Sequence, residues 1–287
     1  MTQNPFAVFK HKKHGESTRH AKRNWKKRAK PFSFSKLVLV LSVIFFFLPL
    51  VVVVILSFNA SKGSTFTEFS FKWYGELFTG SAKLWKALWN SVIVALISSA
   101  LATVLGSLAS IGMGWYKFKG KSYIQVLSFL PMILPEVIMG VSMLIFFSWL
   151  RIQPGLFTII VAHTTFCLPF VYLMVSARID EFDYSIIEAS HDLGANEIQT
   201  LFKVIIPAIM PGVLSGFMMS ITMSFDDYVI TKLVSGSGVE TLPIYIYNSV
   251  RHGVSPVINC ISFIMIIFTV VMTLCLRKSL KSFAAAK

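Results

Sequence analysis

Residues 37–58 read Leu-Val-Leu-Val-Leu-Ser-Val-Ile-Phe-Phe-Phe-Leu-Pro-Leu-Val-Val-Val-Val-Ile-Leu-Ser-Phe, 22 residues without a charge. About 20 such residues, rising 1.5 Å each, cross a hydrocarbon core of roughly 30 Å. Pro49 stands inside the run, which a membrane helix tolerates better than a soluble one. The 36 residues ahead of it carry no cleavage signal, so a removed leader is not expected. The stretch predicts an integral membrane protein, and the composition agrees. Of 287 residues, 55% are hydrophobic, 26 are phenylalanine and only 14% are charged.

Working outward, five further apolar segments follow: Leu88–Met113, Tyr123–Leu150, Gly155–Val175, Val204–Phe225 and Val257–Leu276. The fourth and fifth spans are diluted by Pro169, Pro207 and Pro211. The expectation is an all-α integral membrane protein of six transmembrane helices. It has a basic cytoplasmic arm over 1–32, a six-span domain over 33–276 and a short tail over 277–287. Six spans return both termini to one side.

The net charge of +14 raises nucleic acid as a partner until it is sorted by side. With the N-terminus inside, 20 of the 27 Lys/Arg fall on the cytoplasmic side and 7 outside. That is the bias expected of cytoplasmic loops. The basic arm then reads as a topological anchor touching anionic lipid heads, not as a nucleic-acid tail. The three cysteines fall inside spans at no metal spacing and read as small hydrophobes.

Against this basic background, Ser176–Lys203 stands out. It holds six carboxylates and two basic residues, Arg178 and Lys203. Ser185–Leu193 fits a short amphipathic helix, with Ile186, Ala189 and Leu193 on one side. Asp183 or Ser185 can cap its start, Gly194 can take the left-handed position that ends it, and Asn196 with Gln199 forms a capping-box pattern. So acidic a surface is a poor binder of anionic lipid and points to a protein partner.

Glu188-Ala189-Ser190, three residues, Gly194, nine residues, then Val204-Ile205-Ile206-Pro207 resembles the cytoplasmic loop of ABC importer permease subunits, whose pattern is E-A-A-x3-G-x9-I-x-L-P. Ser190, Val204 and Ile206 depart from it mildly; the glycine and the proline are in register. The resemblance implies a type I ABC importer (MetI-like) permease fold. It also implies that Glu188, Ala189, Ser190, Asp192, Gly194 and Pro207 couple the chain to a separate ATPase. Phe225-Asp226-Asp227-Tyr228, Gly236-Ser237-Gly238, Thr241–Tyr247 and Phe129-Leu130-Pro131 with Pro135-Glu136 are similar to PotC-type permease subunits of spermidine/putrescine importers. That likeness implies a bacterial inner-membrane subunit that pairs with a second, homologous permease, an ATPase dimer and an extracytoplasmic solute-binding protein. The solute is a polyamine or another small solute.

The chain has no Gly-x-x-x-x-Gly-Lys-Ser/Thr loop, so ATP and Mg belong on the partner ATPase and no cofactor is expected here. No His/Cys/Asp set has catalytic or metal spacing. Candidates for the translocation path or gate are Glu136, Asp226, Asp227, Tyr228 and Tyr245. Glu136, an intramembrane carboxylate, either meets a cationic solute or gate partner or hydrogen-bonds a neighbouring helix. Asp226 and Asp227 end span five on the outer side, where they draw in a polycation, cap a helix end or pair with Arg251. The tyrosines suit either cation–π contact or a membrane interface. His163 reads as an interhelical hydrogen-bond donor.

Overall fold

The computed structural model describes residues 34–285 apart from 64, 117 and 252–254, with side chains through Val271. The basic arm over 1–32 lies outside the described residues. Two compact units divide the chain, Met1–Val52 and Val53–Lys287. The described part of the first is the opening of α1 (Phe34–Ser57), the helix formed by the charge-free run.

The second unit takes in the end of α1 and then α2 (Lys72–Thr79), α3 (Ala82–Trp115), α4 (Lys121–Ile133), α5 (Glu136–Trp149) and α6 (Leu156–Asp180). There follow α7 (Ser185–Asp192), α8 (Glu197–Thr200), a π-turn (Leu201–Ile205), α9 (Ile206–Asp226), α10 (Val229–Val234), α11 (Leu242–Arg251) and α12 (Pro256–Ala285). Helix α6 is the hub, contributing Ile159, Ala162, Phe166, Val171, Val175 and Ile179 to the main core. Small residues let α3 and α9 approach it, because helices in lipid associate by close packing more than by hydrophobic exclusion. A side chain at Gly106 of α3 or Gly216 of α9 would strike Val171, and one at Gly212 would strike Met174 and Arg178. A smaller core joins Trp73, Leu77, Leu84, Val257, Cys260 and Ile261.

Six spans are not what the structure holds. Among the described residues, four helical segments are long and apolar enough to cross a membrane: Phe34–Ser57, Ala82–Trp115, Leu156–Asp180 and Glu197–Asp226. A fifth exists only if α4 and α5 count as one span, and they meet at 108°. The break has a local cause. Pro135 lacks an N–H and disfavours helical backbone at the residue before it, and Leu134 is extended at φ −72°, ψ 139°. The pieces, 13 and 14 residues long, span about 20 Å each. Of the sixth segment, the apolar part described with side chains is Pro256–Val271, the first 16 residues of α12. Hydropathy averaged over Tyr123–Leu150 hid that break, and the even-number argument for the termini lapses with it.

The fifth segment survives its prolines by widening. The Ile206 N–H bonds to the Leu201 carbonyl, five residues back, forming the π-turn. Pro207 cannot donate to the Lys203 carbonyl and its ring would crowd it, so the extra residue in the turn absorbs the conflict.

Candidate functional site

The polar segment folds as its letters indicate. The Asp183 carboxylate accepts the Ser185 N–H at 3.0 Å and opens α7. That hydrogen bond holds its acid below the usual carboxylate range. Gly194 takes φ +83°, which only glycine adopts at no steric cost. The turn returns N–H bonds from Gly194 to the His191 carbonyl and from Ala195 to the Ser190 carbonyl. The capping box is present in both directions, from Gln199 N–H to Asn196 Oδ1 at 2.8 Å and from Asn196 N–H to Gln199 Oε1 at 3.1 Å. Ser190, the departure from alanine, lies against Thr200, hydroxyl to hydroxyl, at 2.9 Å. It ties α7 to α8, a contact that sequence spacing alone did not reveal.

What this hairpin leaves uncovered matters more. Ile187 and Ser190 turn inward, while Ile186, Ala189 and Leu193 are exposed, Leu193 at 89%. Glu188 and Asp192 flank them in the open. The base of the hairpin rests on the end of α3, where the Trp115 ring lies 6.5 Å from those of Phe182 and Tyr184.

At the opposite end of the bundle, α5 and α10 run side by side in the same direction. Gly140 abuts Ile230 and Leu233, and further along Gly236 abuts Pro154. Glu136 opens α5 one turn before Gly140, and Asp226 ends α9 just ahead of the extended Asp227 and the Tyr228 N-cap of α10. Each stands at a break, α4 to α5 and α9 to α10, and both residues are exposed. The Tyr228 ring lies tilted against Tyr247 at 4.5 Å between centroids, and the Arg251 guanidinium covers Tyr247 at 5.5 Å.

Asp227 behaves differently from its neighbour. It is buried and caps α10, accepting N–H bonds from Ile230 at 3.3 Å and Thr231 at 2.8 Å. His163 Nε2 lies 3.2 Å from its carboxylate, and His163 Nδ1 lies 2.7 Å from the Ser224 hydroxyl. Serine, histidine and aspartate in that order suggest a hydrolase, but Ser224 is buried and also engages Ser98 at 3.1 Å. Beyond α10 a groove of ≈ 370 Å³ is lined by Lys83, Lys86 and Lys232 and by the 235–239 loop. Its one carboxylate, Glu240, is held by Asn248.

A family model described as "binding-protein-dependent transport system inner membrane component" matches residues 106–284. The chain belongs to that family. This permease is 37% identical over 231 residues, 80% of its length and 87% of the relative's, to the spermidine/putrescine transport system permease protein PotC of Escherichia coli strain K12. It is 36% identical over 229 residues, 79% and 89% of the two lengths, to PotC of Haemophilus influenzae. It is 37% identical over 233 residues, 78% and 83%, to the putrescine transport system permease protein PotI of E. coli K12. In structure it is similar to a bacterial ABC transporter involved in alginate import, with a TM-score of 0.69 and 16% identity over 85% of this chain and 94% of that one. The MetNI methionine transporter follows at TM-score 0.59 and 18% identity, over 71% and 99%. Those two likenesses establish the fold. The permease is thus a multi-pass bacterial inner-membrane subunit of an ABC-type importer, a transport component rather than an enzyme. Among its described residues no group of three His, Cys, Asp or Glu side chains could hold a metal.

Of the residues singled out in the sequence, the permease brings the 188–194 set together on one hairpin, with Pro207 at the foot of α9. It places Glu136, Asp226 and Tyr228 at the two breaks. Tyr245 goes elsewhere, packed half-buried on the smaller core. Arg251 stacks on Tyr247; among the described residues the ion pairs are His163–Asp227 and Arg178–Glu181. Ser98, Ser224 and Thr231 escaped sequence reading because a lone hydroxyl in an apolar helix signals nothing until its partner is known.

Proposed function

We propose that this permease carries polyamines, with Glu136 and Asp226 as the carboxylates that meet the solute. The observation that carries this reading is that two exposed carboxylates each stand at a break between helices, Glu136 at α4–α5 and Asp226 at α9–α10. A carboxylate facing lipid is costly, so such a surface belongs against water or another subunit. Breaks at membrane depth are tolerated where they line a cavity. Tyr228 supplies an aromatic face for alkylammonium groups. The 37% identity to PotC and PotI supports the same solute class.

The remaining partners follow from the two ends of the second unit. The exposed Ile186–Ala189–Leu193 stripe, rimmed by Glu188 and Asp192, is the surface offered to a cytoplasmic ATPase that binds ATP and Mg. Nucleotide-driven closure of that ATPase pushes on α7. The lysine groove at the far end offers positive charge to acidic residues of an extracytoplasmic solute-binding protein. A second, homologous permease completes the passage. The deciding experiment is ATPase activity of the reconstituted complex, stimulated by binding protein loaded in turn with spermidine, putrescine, sulfate or methionine. Stimulation by the polyamines alone is expected; stimulation by an anion with none by polyamines would sink the assignment.

A further inference from the structure

The buried cluster around His163 joins four helices, α3 through Ser98, α6 through His163, α9 through Ser224 and α10 through Asp227 and Thr231. Its hydrogen bonds can be assigned by counting protons, since each hydroxyl has one to donate. Ser98 Oγ lies 2.7 Å from the Val94 carbonyl, which can only accept, so the Ser98 proton is used there. The 3.1 Å contact between Ser98 and Ser224 is then donated by Ser224. Ser224 has no proton left for His163 Nδ1 at 2.7 Å, so Nδ1 is the donor.

The other side closes the same way. Thr231 Oγ1 lies 2.8 Å from the Asp227 carboxylate and donates to it. Its contact with His163 Nε2 at 2.9 Å can then only be donated by the ring, and the carboxylate lies 3.2 Å from the same nitrogen. Both ring nitrogens donate. The carboxylate in turn accepts the backbone N–H groups of Ile230 and Thr231, which favours its ionised form.

We infer that His163 is a positioning residue for the solute-facing break. It is an imidazolium donating to Ser224 on one side and to Thr231 on the other, paired with the Asp227 carboxylate at 3.2 Å, and it fastens the start of α10 to α3, α6 and α9. Asp227 is thereby withdrawn from the path and Asp226 is left as the carboxylate presented outward. Burial of His163 at 1% exposure makes either charge costly alone, so the two stand or fall together. The positioning role rests on the reading of Asp226 as a solute contact; the ion pair does not.

The test uses the full-length chain, labelled with ¹⁵N at histidine, in lipid nanodiscs at pH 7.5. Subtracting the spectrum of His163→Gln isolates the His163 ring, and two protonated nitrogens are expected. One bare nitrogen overturns the ion pair. In melting experiments His163→Gln and Asp227→Asn each lower the midpoint by roughly 6–12 °C, because each strands a buried charge or its partners. The double variant loses less than the sum of the two; additive losses overturn the pairing. In the complete transporter, His163→Gln raises the KM for radiolabelled spermidine more than it lowers the maximal rate, and the added Asp227→Asn restores part of it. An unchanged KM alongside the expected spectrum overturns the positioning role and leaves the ion pair standing. An unchanged KM in Asp226→Asn instead sinks the solute-path reading, so the two failures are distinguishable.

Discussion

The hairpin over 183–200 and the break at 226–231 are both short polar interruptions of apolar sequence, and they use polarity in opposite ways. In the hairpin the polar bonds are local: Asp183 to Ser185, Asn196 to Gln199, Gly194 to His191. Its apolar stripe is left outside. At the break the polar groups reach across the fold. His163 bonds residues 61 and 68 positions away, and Ser98 bonds one 126 away. A region built on local bonds keeps its shape while a partner pushes on it. A region built on distant bonds responds when any one of four helices shifts.

Four variants sharpen this contrast. The largest effect is expected from Gly194→Val, which forces a β-branched residue to φ +83°. Uptake should fall at least tenfold while the subunit stays in the membrane and the ATPase continues to turn over; undiminished uptake would remove the hairpin from coupling. Glu136→Gln comes next, and is expected to reduce uptake of a dication about tenfold, equivalent to about 1.4 kcal/mol, with unchanged assembly. Equal loss of assembly would place Glu136 in a structural bond instead.

Reversing charge in the outer groove, Lys83→Glu with Lys86→Glu, should weaken stimulation by the binding protein several-fold at low salt and less at high salt, as screening dictates. A salt-independent loss would point to misfolding of the groove. The smallest effect belongs to Asn196→Ala, which removes one helix cap worth about 1 kcal/mol. A small drop in melting temperature with near-normal uptake is expected. A large uptake defect would show that the hairpin has no mechanical margin.

Sequence reading was reliable where the bonds are local. A capping box needs only three residues, a left-handed turn only one, and the amphipathic stripe only a period of 3.6, so α7, Gly194 and α8 were legible as written. It failed for the third span, where hydropathy averaged across Pro135 and missed a 108° bend. It treated Asp226 and Asp227 alike, because adjacent carboxylates look the same until one finds a histidine on another helix.

The letters alone determined that the chain lives in a membrane, that its polar hairpin is capped and acidic, and that this hairpin resembles the E-A-A pattern of importer permeases. Apolar length, helix period and turn chemistry are properties of contiguous residues. Only the tertiary structure decided which apolar runs remain whole, which aspartate is buried and which is presented, and what His163 holds. Those outcomes depend on contacts between residues far apart in the chain, and packing α3, α6, α9 and α10 against one another is what creates them.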